Sequence, residues 1–300
     1  MHTSLIPAPP YGRTSAARYL YCLRPRDIIV LQGSPVLGAV FALGHSSIDH
    51  IGPLAILTVA NVCLVAHVFV LNDCANLTAD RDDPARATRV FTARGVAPRE
   101  MGALAAGLLV LSLLLFTSLG PGVFSVAAGI AALSALYSLP AFNWKGRPLL
   151  SSAAHLGGGV LHFLLGYGLA GPIDRRGLII ATFFGLTFVA GHLTQELRDY
   201  EVDARNGIST NAVRYGQRRT LIASVALFTL AQGILFLLAV QGTVPRVLAA
   251  MILLYPFHLR WSLQALARGL TPPSITRLQA RYRTLHGIIG LTMIAALWID

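Results

Sequence analysis

Two short stretches hold the acidic chemistry of this chain: NDCANLTAD at residues 72–80 and QELRDYEVD at residues 195–203. Each directly follows a long apolar run, AILTVANVCLVAHVFVL in the first case and LIIATFFGLTFVAGHLT in the second. Placed in register, Asn72 falls over Gln195, Asp73 over Glu196, Asn76 over Asp199 and Asp80 over Asp203. On a helix, residues four apart stack along one face, so 72, 76 and 80 form one stripe and 195, 199 and 203 another. Two such faces turned towards each other would gather Asp73, Asp80, Glu196, Asp199 and Asp203. At the edge of a low-dielectric region, that many carboxylates repel one another unless cations neutralise them. Oxygen donors select a hard cation such as Mg²⁺, which is held by few carboxylates and completed by water and substrate phosphate. A phosphate-bearing substrate follows from that habit. Either stretch alone reads equally well as a solvated helix end; two in matching register make the site reading the better one.

Basic residues stand where a phosphate would need them. The segment YSLPAFNWKGRPLLS contains Lys145, the only lysine of the chain, with Arg147 two positions on. Arg198 lies inside the second acidic stretch and Arg81 just after the first. Such groups neutralise charge growing on a leaving group, although Lys145 and Arg147 also read as ordinary membrane-flanking anchors. Tyr137 reads either as a hydrogen-bonding group or as an interfacial aromatic. In LRPRD (23–27), Pro25 suits a helix start, Arg24 and Arg26 read as anchors or site residues, and Asp27 calls for an arginine partner. His67, His155, His162 and His192 lie in or near apolar runs without metal spacing, and hydrogen bonding between helices accounts for each.

These residues must be positioned by membrane helices. Of 300 residues, 54% are hydrophobic and 12% charged, against about 25% charged in a soluble domain. Apolar runs long enough to span a bilayer fall at 27–44, 53–71, 102–119, 122–139, 150–171, 178–197, 220–240, 244–264 and 284–299. The third and fourth, separated only around GPG, form a tight hairpin, and the Gly-rich fifth (HLGGGVLHFLLGYGLAG) permits close packing. The expectation is an all-α integral membrane protein of about nine helices. Residues 1–22 form a flexible N-terminal tail without signal-peptide character, and 23–300 form one transmembrane domain. The matching stretches make spans one to four and five to eight two similar halves, with a ninth helix added.

The net charge of +11 is a matter of topology, not of nucleic acid. With the N-terminus inside, all Lys and Arg residues but Arg175, Arg176 and Arg246 fall on the inner side. That bias places the N-terminus and both acidic stretches in the cytoplasm, with attraction left over for anionic lipid or substrate. Cys22, Cys63 and Cys74 have no metal or disulfide spacing. Abundant Arg and Ala with one Lys point to the plasma membrane of a bacterium.

The two acidic stretches, the Lys145 segment YSLPAFNWK, LRPRD and TNAVRYG (210–216) together resemble the UbiA-type intramembrane prenyltransferases over nearly the whole chain. That family carries motifs commonly written NDxxDxxxD and DxxxD after helices 2 and 6 of nine helices ringed around a central cavity. The departure here is Asn76, where the family's middle acid stands; the oxygen remains but one charge is lost. The resemblance implies that Asn72, Asp73, Asn76, Asp80, Asp199 and Asp203 hold or support Mg²⁺. It implies that Lys145, Arg147, Arg198, Arg81 and Tyr137 grip the diphosphate of an isoprenoid donor. Asp80, Asp199, Asp203 and Lys145 would then be the catalytic set. The implied reaction is Mg²⁺-dependent prenyl transfer to a hydrophobic or aromatic acceptor in the membrane. The alternative is a terpene cyclase, in which the same cation is quenched without an acceptor. A cation transporter is the reading from another class; against it, the acids sit at helix ends rather than at the midplane.

Overall fold

The computed structural model describes residues 17–44, 50–82, 87–88 and 90–296; residues 1–16, most of the expected tail, lie outside them. Among these residues the chain is helical, with no strand. In order come α1 (Ala17–Cys22), α2 (Pro25–Leu31), α3 (Gly33–Leu43), α4 (Ile51–Ala75), α5 (Leu77–Asp82), α6 (Pro98–Thr117) and α7 (Pro121–Ser138). They continue with α8 (Leu150–Tyr167), α9 (Arg175–Arg205), α10 (Asn211–Tyr215), α11 (Gln217–Val240), α12 (Tyr255–Ala267) and α13 (Pro272–Ala296). Prolines open α2, α6, α7 and α12 at their first turns, where a missing N–H costs nothing. Gly120, at φ 100°, makes the sharp turn of the α6–α7 hairpin.

Seven stretches are long and apolar enough to cross a membrane: Pro25–Leu43 (α2 and α3 together), α4, α6, α7, Leu150–Ala170, α9 and α11. Their outer faces carry large apolar side chains, including Ile29, Leu114 and Leu230, that a water-soluble protein would bury. A bundle apolar both inside and out is built for lipid. It is an integral membrane protein.

The eighth and ninth expected spans take other forms. Arg246–Leu254 winds as a 3₁₀ helix before α12, so that region is a tight spiral followed by a helix of 13 residues. α13 is 25 residues long, but Arg277, Arg281 and Arg283 interrupt its first half, and only its second half is free of Arg, Lys, Asp and Glu.

Neighbouring helices pack in chain order, from α4 through α6, α7, α8, α9 and α11 to α12 and α13, and α13 returns to α3. This closes the circuit. Within it, α3 crosses α8 and α8 crosses α9 very closely. A methyl group added at Gly38 would overlap the carbonyl of Phe163, and one at Gly166 would overlap that of Pro35. Gly159 and Gly185 do the same service for α8 against α9. Without a hydrophobic drive between helices in lipid, such backbone approach is what holds them. An amide pair adds to it: buried Asn61 on α4 donates to half-buried Gln32 at the α2–α3 break (2.8 Å).

Residues 17–22 are not loose. Arg18 donates to the Gly95 carbonyl (2.8 Å), and Cys22 is buried against Val70, Phe91 and Met101.

Candidate active site

The first acidic stretch straddles a break. α4 ends at Ala75 and α5 begins at Leu77, with Asn76 between. The backbone bonds nevertheless continue: Asn76 N–H donates to the Asn72 carbonyl (3.0 Å) and Asp80 N–H to the Asn76 carbonyl (2.9 Å). That continuity keeps residues 72, 76 and 80 on one side. Asn76 also donates through Nδ2 to Asn72 Oδ1 (3.0 Å). Lys145 stands on a short 3₁₀ turn, Trp144–Gly146, and reaches across to donate to Asn76 Oδ1 (3.0 Å). Asn143 shapes this turn, in a left-handed conformation (φ 47°), by accepting from Gly146 N–H.

Asp73 forms an ion pair with Arg24, a residue also held left-handed (φ 54°, ψ 57°) at the start of α2. A non-glycine residue in that region costs about 1–3 kcal/mol, so the surrounding fold holds the guanidinium in place. Asp80 and Lys145 lie near enough to act on Asp73 electrostatically. Cys74, the one soft donor inside the stretch, packs against the apolar cluster of Val70 and Met101.

The second stretch lies wholly within α9, which at 31 residues is about 46 Å long against a bilayer core of about 30 Å. Its final turns, with Arg198 to Arg205, therefore project beyond the apolar layer. Arg198 grips Asp199 with two bonds, Nε to Oδ1 (3.1 Å) and Nη2 to Oδ2 (3.0 Å). It also reaches Gln279 of α13 (3.5 Å). Asp203 is buried and Gln195 exposed. Tyr137, at the end of α7, lies in the field of Glu196, Asp203 and Asp199 and shares a hydrogen bond with Ser151. Arg81 and Arg147 are exposed at the rim.

Glu196 departs from the expected cluster. Its side chain is 3% exposed and accepts from Asn211 Nδ2 (3.1 Å), Ser151 Oγ (3.3 Å) and Ala212 N–H (3.4 Å), with His192 Nε2 at 3.0 Å. A carboxylate this enclosed ties α8, α9 and α10 together and has no face left for a substrate. Among the described residues, no three His, Cys, Asp or Glu side chains converge as a ready-made metal cage. The five-carboxylate gathering is thus not what the fold builds, because Glu196 is turned inward and Asp73 and Asp199 are each faced by an arginine.

The sequence reading missed two residues that the site depends on. Asn211 accepts from Leu149 N–H (3.1 Å) and donates to Ser152 and Glu196, holding the start of α8. Leu149 is itself strained (φ 48°). Ser151 is the other; Arg24 reads from the sequence as an anchor or site residue, and the structure adds its partner, Asp73. The only signal for Asn211 was its place in TNAVRYG.

Helix ends bearing oxygen donors, crossed by one lysine and lined by arginines, suit a polyanionic group that carries an apolar chain into the bundle. Residues 33–275 match the sequence model of the UbiA prenyltransferase family. The chain belongs to the UbiA prenyltransferase family. The lycopene elongase/hydratase of Haloferax volcanii is 28% identical to this prenyltransferase over 286 residues, 92% of this chain and 87% of the relative. Among solved structures, a UbiA homolog from Archaeoglobus fulgidus bound to GPP and Mg²⁺ superposes with a TM-score of 0.74 at 19% identity, covering 94% of this chain and 98% of that one. A structure described as digeranylgeranylglyceryl phosphate synthase gives 0.70 at 18% identity, with the same coverage. These likenesses show that this UbiA-family enzyme has the fold of its relatives.

Proposed function

We propose that this prenyltransferase moves a prenyl group from an isoprenoid diphosphate to an electron-rich double bond of an apolar acceptor inside the membrane, with Mg²⁺ as cofactor. The observation that carries the reading is the Lys145 bridge to Asn76, which brings the α7–α8 loop onto the first acidic stretch beside Asp73 and Asp80. The same loop region meets the second stretch through Tyr137 and Ser151.

The donor set fits the metal. Every proposed ligand position offers oxygen, and Cys74 is turned to an apolar cluster. Asn72, Asn76, Asp80, Asp199 and Asp203 would hold Mg²⁺, with Asp73 supporting them. When bound, Mg²⁺ supplies Lewis-acid stabilisation of the diphosphate's charge. Lys145 and Arg198, with Arg147 and Arg81 at the rim, bind the diphosphate oxygens, and Tyr137 hydrogen-bonds at the inner edge. Asp80, Asp199, Asp203 and Lys145 are the proposed catalytic set. The prenyl chain would lie along Phe184 and Phe188, the partly exposed rings of α9, where ring faces steady positive charge and water is excluded.

The Haloferax relative's name and the ligands of the Archaeoglobus homolog support a polyene acceptor and a short prenyl diphosphate donor. The basic bias supports a cytoplasmic N-terminus and site, the Arg- and Ala-rich composition a bacterial plasma membrane, and the succession of helices a single domain over 23–300.

The test uses purified protein in nanodiscs with C10, C15 and C20 prenyl diphosphates and Mg²⁺, alone, with lycopene, or with a phenol. Products are read by mass spectrometry beside an EDTA control. A coupled product that disappears with EDTA is expected. A discrete terpene formed without acceptor would replace this reading with the cyclase one, and no diphosphate release under any condition would overturn both.

A further inference from the structure

Inward of the acidic helix ends lies a pair of stacked imidazoles that the proposed chemistry has not used. His155 on α8 and His192 on α9 lie face to face, ring centroids 3.4 Å apart and 6° from parallel. Tyr137 on α7 meets His155 edge-on at 5.0 Å, and Phe188 on α9 stacks against it at 5.6 Å. Among the described residues these are the rings against His155, and of them Tyr137 and His192 are titratable.

The bonds assign the tautomer. His155 Nδ1 is 2.9 Å from the Ser151 carbonyl, an acceptor only, so Nδ1 carries the proton. The other nitrogen, Nε2, is therefore a lone pair, and among the described residues nothing hydrogen-bonds it. His155 is half-buried, with Tyr137 of α7 and His192 of α9 against its ring. His192 is buried and immobilised, with Nε2 2.7 Å from Ser151 Oγ and 3.0 Å from Glu196 Oε1. Behind the free lone pair thus stands a second imidazole anchored to a buried carboxylate, which offsets positive charge arriving on the stack.

The position matters as much as the chemistry. His192 precedes Asp199 by seven residues on one helix, which is about 10 Å along the axis. That is roughly the reach of a diphosphate and the first carbons of its chain. We infer that His155 Nε2 is the base that ends the carbocation reaction. The inference rests on the prenyl-transfer reading. The C–O bond of the donor breaks with its electron pair leaving on diphosphate. The acceptor double bond supplies the pair for the new C–C bond and becomes a cation. His155 Nε2 takes the proton from the adjacent carbon, and the C–H pair becomes a new double bond. The imidazolium then returns its proton to the departing diphosphate, so that the enzyme is restored.

The test measures partition rather than rate. Geranyl diphosphate and Mg²⁺ are supplied with and without the polyene, and alkene products, alcohol products and diphosphate are quantified together. In His155→Phe and His155→Gln, diphosphate release should persist while the ratio of alkene (proton lost) to alcohol (water captured) falls about 10- to 100-fold. His162→Phe, two turns deeper on α8, should leave the ratio within about twofold. An unchanged ratio in either His155 variant that releases diphosphate overturns the inference. Loss of release in both variants also overturns it, assigning His155 to packing or ionisation. A wild-type protein that releases no diphosphate sinks the prenyl-transfer reading itself, and this inference with it.

Discussion

The two acidic helix ends share one spacing and live in different surroundings. At the first, the helix breaks at Asn76, and the side chains are tied sideways to residues from elsewhere, Arg24 to Asp73 and Lys145 to Asn76. At the second, the helix runs unbroken to Arg205, and Glu196 is clamped inside by α8 and α10. Register pairs Asp73 with Glu196, yet Asp73 is 19% exposed in an ion pair and Glu196 3% exposed in a hydrogen-bonded knot. The lesson is that a shared spacing assigns a position, not a role. One half is an assembled edge and the other a rigid wall.

The sharpest way to break that contrast is to remove the two register-matched acids. Glu196→Ala should cost about 3 kcal/mol of stability, because it orphans buried donors on Ser151, Asn211 and His192. Asp73→Ala should cost under about 1 kcal/mol, as expected for a partly exposed pair. Thermal unfolding in detergent compares them, and equal losses would erase the distinction. Next in size, Lys145→Met should slow diphosphate release about 100-fold, with Lys145→Arg intermediate. A Lys145→Met enzyme turning over normally would detach the α7–α8 loop from the first helix end. The smallest change restores symmetry: Asn76→Asp gives the first end the acid that the second has in Asp199. It should lower the Mg²⁺ concentration for half-maximal release by about 3- to 10-fold, since one added charge strengthens a cation site. A higher Mg²⁺ requirement would mean that the new carboxylate is spent on Lys145 instead.

Much of this was legible in the sequence, for physical reasons. Uninterrupted apolar runs announce membrane helices because bilayer thickness sets their length, and seven stretches meet that criterion. Hydropathy says little about winding, so the 3₁₀ stretch at Arg246–Leu254 was not foreseeable from its composition. In α13 the arginines blur the boundary between span and projecting turn. The stripes 72–76–80 and 195–199–203 were readable because the helical period is fixed; the break at Asn76 does not disturb the hydrogen bonds that maintain it. The inward turn of Glu196 was hidden, since it depends on Asn211 and Ser151, which are distant in sequence or belong to another helix. The Arg24–Asp73 pair was hidden for the same reason.

The central claim is that both helix ends serve one diphosphate site. Groups acting as a unit lose function non-additively, so a double-mutant cycle on diphosphate release from geranyl diphosphate with saturating Mg²⁺ tests it directly. Asp80→Asn and Asp203→Asn should each slow release about 100- to 1000-fold, and the double variant should be hardly slower than the worse single one. Losses that multiply, or a single variant that keeps its full rate, would contradict a shared site.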